Sequence, residues 1–316
     1  MRVVIADPDI DIDLARAILE PTGAATVFER DHWSGEDVVA IVVSPFGEVR
    51  ARELENCPNL KIVATTSKGV DNIDVEFCQL RDVTVWHPMD YCSDEVADTA
   101  VTLLLALLRG TVFLDRSVRD GQWHYAAAGP LKRIDETRLG VLGYGIIGRK
   151  VAARARALNI AVSAYDPYVA ADDPGAIGAG VTIVDLEELF TTSNALSVHV
   201  PLDESTRKLI SAELLALMPQ GSVLINLARG EIVDINAVLD ALSSGRLYGA
   251  ALDVLDVEPP SPESPAPKHS RLIVTPHAGW YSERSARALF REPLEVIRDV
   301  LLFGSDGHVD VLRASE

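Results

Sequence analysis

Leu139-Gly140-Val141-Leu142-Gly143-Tyr144-Gly145-Ile146-Ile147-Gly148 is the stretch on which the fold turns. A short apolar run enters a G-x-G-x-x-G turn, a helical pattern follows over Arg149 to Leu158, and a β-branched run, Ala161 to Tyr165, then ends at Asp166. The acid stands 18 residues after Gly148, close to the interval of about 20 expected between a dinucleotide-binding turn and its ribose acceptor. Each part has a physical task. Gly143 permits the tight turn, Gly145 lets the backbone approach a pyrophosphate, and Gly148 lets helix and strand pack closely. The helix N-terminus, from Ile146 and Ile147 onward, offers unpaired N–H groups and a positive dipole end to the phosphates. Asp166 can accept from both ribose hydroxyls but repels a 2′-phosphate, and neither Pro167 nor Tyr168 supplies a compensating cation. NAD is therefore favoured over NADP.

Outward from this turn, short β-branched runs alternate with longer helical patterns, the signature of parallel sheets with crossover helices. Before residue 100 the strand candidates are Val3 to Ala6, Ala25 to Phe28, Val38 to Val43, Lys61 to Thr65 and Thr84 to Trp86, with a helical pattern such as Ile10 to Glu20 between them. A second series comprises Arg138 to Leu142, Ala161 to Tyr165, Ala195 to Val200, Ser222 to Asn226, Tyr248 to Val254 and Leu272 to Thr275. Between the two series, Asp94 to Arg109 lacks Gly and Pro, opens with acids and ends in Arg, which predicts a helix buried between two bodies. Glu258 to Pro267 carries five prolines and predicts an exposed loop. Ser282 to Phe303 predicts an amphipathic helix, kinked at Pro293, that returns to the first domain. The fold class is α/β with two doubly wound parallel-sheet domains. A Rossmann NAD-binding domain over residues 96–283 is inserted in a smaller, discontinuous flavodoxin-like substrate domain of residues 1–95 plus 284–316.

The chain has 316 residues, of which 48% are hydrophobic and 24% charged, enough apolar material for two medium cores. Its net charge of −18 repels phosphodiester backbones and anionic lipid, which argues against nucleic-acid and membrane partners. Three cysteines, Cys57, Cys78 and Cys92, show no Cys-x-x-Cys pair, so neither a disulfide framework nor a metal site is expected and the chain reads as cytoplasmic. The first apolar run meets Asp7 too early for a secretory segment. Leu103 to Leu108 is far shorter than the roughly 20 residues that span a bilayer.

Three polar residues follow strands of the second series, on the edge where an open α/β sheet binds ligands. Arg229 lies three residues past Asn226, and its planar guanidinium can grip a carboxylate bidentately and polarise a neighbouring carbonyl. His277, in Thr275-Pro276-His277, can both give and take a proton near neutral pH. Glu258 follows the Leu252-Asp253-Val254 strand end and can hold the imidazole. Beside a dinucleotide site, these make a carboxylate clamp, a proton donor and its support, the set that reduction of a 2-oxo acid requires.

The same residues are where the sequence resembles the D-isomer-specific 2-hydroxyacid dehydrogenase family. The likeness runs through Ser67 to Asp74, the Gly143 to Gly148 turn with Asp166, Val198 to Leu202, Asn226 to Gly230, Ala251 to Val254 with Glu258-Pro259, and Thr275 to His277. It implies reversible hydride transfer between NADH and C2 of a 2-oxo acid, with Arg229, Glu258 and His277 as the catalytic set. It further implies that the cofactor is lined by Val200, Pro201, Leu227, Ala228, Arg229, His277 and Gly279, with Asp253 on the nicotinamide amide. Backbone N–H groups around Lys68, Gly69 and Val70 would meet the substrate carboxylate. A homodimer through the NAD-binding domain is implied, with Val101 to Val118 at its contact.

Two details depart from the common pattern. Trp280, in Gly279-Trp280-Tyr281, and Asp94 to Asp98 look most like the C-terminal-binding-protein corepressor branch, where Trp280 would line the substrate pocket. An NAD(H)-sensing corepressor is accordingly one alternative function, and phosphoglycerate dehydrogenase another. Lys68 occupies a loop position often held by a small residue, and we read it as a second cation that favours a substrate with an extra anionic group.

Overall fold

The computed structural model describes residues 1–30 and 33–304. The chain divides into two compact units, Met1–Tyr91 with the residues from Ser282 onward, and Cys92–Tyr281.

In unit 1 the strands β1 (Arg2–Ile5), β2 (Ala25–Phe28), β3 (Val38–Val43), β4 (Ile62–Thr65) and β5 (Thr84–Trp86) form an all-parallel sheet in the order β2-β1-β3-β4-β5. This is the flavodoxin-like order, whose direction reverses between β1 and β3. Every residue of β3, Val-Val-Ala-Ile-Val-Val, is buried, as a central strand covered on both faces must be. On one face lies the helix Ile12–Leu19, capped by Asp11, whose carboxylate accepts from the Asp13 and Leu14 N–H groups. Beside it lies the helix Glu283–Phe303, which starts at the capping residue Ser282 and buries Leu289, Leu294, Ile297 and Val300. Pro293 sits buried within it. The opposite face is closed by Trp33, Leu54, Cys57, Ile73 and Cys78.

Unit 2 contains β6 (Arg138–Leu142), β7 (Ala161–Tyr165), β8 (Thr182–Ile183), β9 (Ala195–Val198), β10 (Ser222–Asn226), β11 (Leu247–Leu252) and β12 (Leu272–Val274), ordered β12-β11-β10-β9-β6-β7-β8 and parallel throughout. The chain runs outward from β6 through β7 and β8, then returns to build the other half from β9, so the switch point lies between β6 and β9. That is the Rossmann arrangement, with its ligand crevice at the carboxyl ends of those strands.

Several elements differ from their sequence-based outlines. β8 has only two residues and gives no readable alternation. β11 stops at Leu252 because Asp253 leaves the ladder to bind the loop after β12. The helix expected from Asp94 begins at Ser93, and Lys150 Nζ reaches Ser93 Oγ at 2.5 Å and Asp94 at 2.8 Å. Arg154 adds bonds to Asp94 and Asp98 at 2.8 and 2.5 Å. These contacts fasten the first turns of Ser93–Leu108 to the helix Ile146–Ala157, and unit 2 runs from Cys92 to Tyr281, against the expected 96–283.

No single helix among the described residues is long and apolar enough to cross a membrane, and Ser93–Leu108 with Thr111–Arg119 passes that test only as a pair bent by 58°. The described residues hold no cluster of three His, Cys, Asp or Glu side chains placed to bind a metal ion.

Candidate active site

At the β6 exit Gly143 has φ +94°, and a Cβ there would fall 2.7 Å from the His199 carbonyl and 2.8 Å from Val200 N. A side chain at 143 would force apart the ends of β6 and β9, so the switch-point crevice requires glycine. Pro201 follows Val200 on the same exit. The helix Ile146–Ala157 starts at Gly145 with no side-chain cap, which leaves its first-turn N–H groups available to an anion. Ile146 is partly exposed there and Ile147 half-buried. Asp166, at the end of β7, is oriented by two backbone donors: Tyr144 N–H gives to Oδ2 at 2.8 Å and Tyr168 N–H to Oδ1 at 3.0 Å. Each oxygen keeps a lone pair for a ribose hydroxyl, Pro167 adds no donor, and Tyr168 is 94% exposed. Uncapped helix start, close turn and fixed carboxylate together fit a dinucleotide that lacks a 2′-phosphate.

His199 stands beside this turn. Its backbone N–H donates to Leu142 O at 2.7 Å, and its Nε2 lies 2.7 Å from Ser197 Oγ. Burial pushes the imidazole down to about 4, so the ring is neutral at physiological pH.

The three polar residues at strand ends are positioned by backbone geometry. After β10, the Asn226 amide accepts from Ala228 N–H at 3.0 Å and donates to Arg229 O at 2.8 Å. The turn from Leu227 to Gly230 is thereby clamped from inside. A Cβ at Gly230 would lie 1.9 Å from the Leu255 carbonyl carbon, so this turn packs directly against the loop that leads to Glu258. The Arg229 guanidinium donates to Ala228 O at 2.8 Å. Glu258 then divides its carboxylate: Oε1 accepts from Leu255 N–H at 2.6 Å, and Oε2 lies 2.6 Å from His277 Nδ1.

His277 is held in the left-handed region, φ +52°, which a side chain rarely occupies without enforcement. The enforcement comes from Asp253. Its Oδ1 accepts from Thr275 Oγ1 at 2.5 Å and Ala278 N–H at 3.0 Å, and its Oδ2 from Gly279 N–H at 2.8 Å. The His277 N–H also donates to Asp253 O at 2.8 Å. Asp253 is 3% exposed, and these bonds make it the support of the His277 loop, a task the sequence did not show. Thr99 Oγ1 ties the same loop to the helix Ser93–Leu108 through Gly279 O at 3.1 Å. Trp280 packs edge to face on Tyr281, with ring centroids 5.7 Å apart.

Lys68, Gly69 and Val70 belong to unit 1, on the loop after β4. The Gly69 N–H already donates to Ser67 Oγ at 3.2 Å. The loop is braced by the Asn72 amide, which donates to Ser44 O at 3.1 Å and Gly47 O at 2.7 Å.

Asn226, Gly230, Thr275 and Asp253 as a brace escaped the sequence reading. Asn226 at a strand end three residues before Arg229, and Gly230 just after it, were the available signals. Residues 101–279 match the family profile described as D-isomer specific 2-hydroxyacid dehydrogenase, NAD binding domain. The chain is 35% identical over 281 residues to a D-3-phosphoglycerate dehydrogenase of Archaeoglobus fulgidus, an alignment that takes in 88% of this chain and 53% of the relative. It thus spans about half the length of that protein. It is 38% identical over 255 residues to an (S)-sulfolactate dehydrogenase of Chromohalobacter salexigens, covering 80% of this chain and 81% of the relative. Its fold superposes with TM-score 0.85 on a D-lactate dehydrogenase from Aquifex aeolicus solved with NAD and lactic acid, at 25% identity and 95% coverage of both chains.

Proposed function

Because the chain belongs to the D-isomer specific 2-hydroxyacid dehydrogenase family, an NAD-dependent oxidoreductase family, we propose that it interconverts a 2-oxo acid and its D-2-hydroxy acid. The observation that carries this reading is the 2.6 Å contact between His277 Nδ1 and Glu258 Oε2, placed beside the Arg229 turn on the ligand edge of the NAD-binding sheet. Bound NADH supplies the hydride that C2 of the substrate receives. His277, with Nδ1 fixed by Glu258, gives the Nε2 proton to the carbonyl oxygen as the C–O π bond becomes a hydroxyl, and takes it back in oxidation. Arg229 grips the substrate carboxylate and stabilises charge on the reacting oxygen. Trp280 adds an apolar wall.

Two of the relatives bear on substrate size and charge: phosphoglycerate and sulfolactate each carry a second anionic group, which agrees with a cation at Lys68. A homodimer through unit 2 is part of the same proposal. It is supported by Val118, Trp123 and Tyr125, which are 46, 87 and 84% exposed on unit 2 near the helix Thr111–Arg119.

The test is loss of NADH absorbance with glyoxylate, pyruvate, hydroxypyruvate, a bulky branched 2-oxo acid, 2-oxoglutarate and phosphohydroxypyruvate, with NADPH as control. Turnover with NADH is expected. Binding of NADH without reduction of any of these acids would favour the NAD(H)-sensing corepressor reading instead.

A further inference from the structure

Gly279 is buried where three parts of unit 2 converge. A Cβ on it would fall 2.8 Å from Asp253 Oδ2 and 2.8 Å from Leu227 Cδ2, so it lies between the β11 exit and the turn that carries Arg229. Its N–H is taken by Asp253. Its carbonyl accepts from Thr99 Oγ1 at 3.1 Å, from a residue 180 positions earlier in the chain. A helical threonine commonly returns its hydroxyl to a carbonyl of its own helix, whereas Thr99 gives it to the His277 loop. The loop is thus gripped twice, through its N–H groups from the strand side and through a carbonyl from the helix side.

Such a grip needs a fixed base, and the helix Ser93–Leu108 has one at each end. At its start, Lys150 and Arg154 bind Ser93, Asp94 and Asp98. Their hydrogen bonds hold the Asp94 carboxyl down to about 2, so the ties stay charged across the pH range of an assay. Toward its end, Leu107 lies against β11, where a Cβ on Gly249 would come 2.9 Å from Leu107 Cδ2. Thr99 stands between these anchors. Lys150 and Arg154 belong to the helix Ile146–Ala157, roughly 6 and 12 Å along its axis from Ile146 at 1.5 Å per residue. The helix whose first turn is open to the cofactor phosphates is therefore also the base of the helix that holds the His277 loop.

We propose that Thr99 is a positioning residue for His277, and that the helix Ser93–Leu108 is a strut that sets the proton donor in one frame with the cofactor-binding helix. The proposal rests on the reading of His277 as proton donor in 2-oxo acid reduction. Thr99 touches no reacting atom. It acts by fixing Gly279, two residues beyond a histidine held at φ +52°, a conformation that persists only while its surroundings enforce it. A displacement of about 1 Å at a reacting group can lower a rate about a hundredfold.

The experiment measures kcat, KM for the best 2-oxo acid and Kd for NADH in the wild type, Thr99→Val, Thr99→Ala and Thr99→Ser, each alone and combined with His277→Gln. Every variant is first checked for a native melting transition. Valine keeps the branched shape without the hydroxyl, and serine keeps the hydroxyl. Thr99→Val and Thr99→Ala should lower kcat about tenfold with the NADH Kd held within about twofold, and Thr99→Ser should behave as the wild type. In the His277→Gln background the Thr99→Val loss should vanish, because a residue that acts through His277 has nothing left to position there. Arg154→Met, which frees the start of the strut, should also lower kcat, and its loss should not multiply with that of Thr99→Val; multiplied losses would overturn the strut. Without ligand, the amides of Ala278 and Gly279 should exchange hydrogen about tenfold faster in Thr99→Val. Unchanged kcat or unchanged exchange in Thr99→Val, or an equal loss in the His277→Gln background, would overturn the positioning role while the dehydrogenase stands. Faster exchange at residues 278 and 279 in a protein that reduces no 2-oxo acid would uphold the tether and sink the dehydrogenase reading.

Discussion

Glu258 holds two groups at once: one carboxylate oxygen takes the Leu255 N–H and the other meets His277 Nδ1, each at 2.6 Å. The backbone bond orients the carboxylate, so the ring's rotation is set by a residue on another loop. His277→Gln should lower kcat by roughly two to four orders of magnitude, the usual contribution of a positioned proton donor. Glu258→Gln, which removes the charge and leaves one oxygen for either the Leu255 N–H or His277 while its NH₂ faces the other, should also lower kcat, but by less. Steady-state kinetics on the best substrate checks both, and near-normal turnover in His277→Gln would remove it from the chemistry.

Gly230→Ala should act through the fold. Its Cβ would overlap the Leu255 carbonyl at 1.9 Å, and backbone on both sides leaves no flexible atom to yield. A loss of about 3 kcal/mol or more is expected in urea unfolding, and the surviving protein should show impaired turnover, because the Arg229 turn and the Glu258 loop can no longer meet.

Asp253→Asn tests the support of the His277 loop. The carboxylate receives three donors, whereas an amide offers one oxygen and turns an NH₂ group against the rest. With His277 in a left-handed backbone conformation, kcat should fall by about tenfold or more while the melting temperature drops by only a few degrees. Unchanged kcat would show that the loop is self-supporting.

Asp166→Ala addresses the choice between cofactors. Removing the acceptor for the ribose hydroxyls, and the charge that repels a 2′-phosphate, should raise KM for NADH and narrow the NADH:NADPH ratio of kcat/KM by about tenfold or more. A ratio that does not move would place the ribose elsewhere.

His199 gives a pH dependence with a definite sign. Its folded pKa of about 4 lies below the unfolded value near 6.5, so between these limits the unfolded chain binds a proton that the native chain does not. Stability from this group is complete above about pH 6.5 and falls as pH drops toward 4, by at most about 1.4 kcal/mol per unit. Urea unfolding at pH 5.0 and 7.0 should show a smaller difference for His199→Gln than for the wild type.

The glycine turn, the acid after β7 and the order of the strands were legible because periodicity and spacing are local properties. Arg229, Glu258 and His277 were legible as residues at strand ends, since ligand edges follow from topology. What stayed hidden depends on long-range register. Gly230 reads as an ordinary turn residue until the Leu255 backbone is laid against it. Asp253 resembled a cofactor contact, while its three bonds to residues 275–279 become visible only when β11 and β12 are side by side. The helix starts at Ser93, one residue before the expected Asp94, and the Lys150 and Arg154 bonds that hold that end come from a helix distant in sequence.

The helix Glu283–Phe303 covers strands made from the first residues of the chain. During synthesis, Val3, Ile5, Ala40 and Val42 therefore leave the ribosome long before Leu294, Ile297 and Val300, while the contiguous unit 2 has everything its sheet requires. Vectorial folding should mature the cofactor half first and leave the N-terminal half with an open apolar face until the last segment is released. A nascent chain arrested at residue 281 should therefore bind an apolar-surface probe through its N-terminal strands, and the binding should vanish once the helix Glu283–Phe303 is freed.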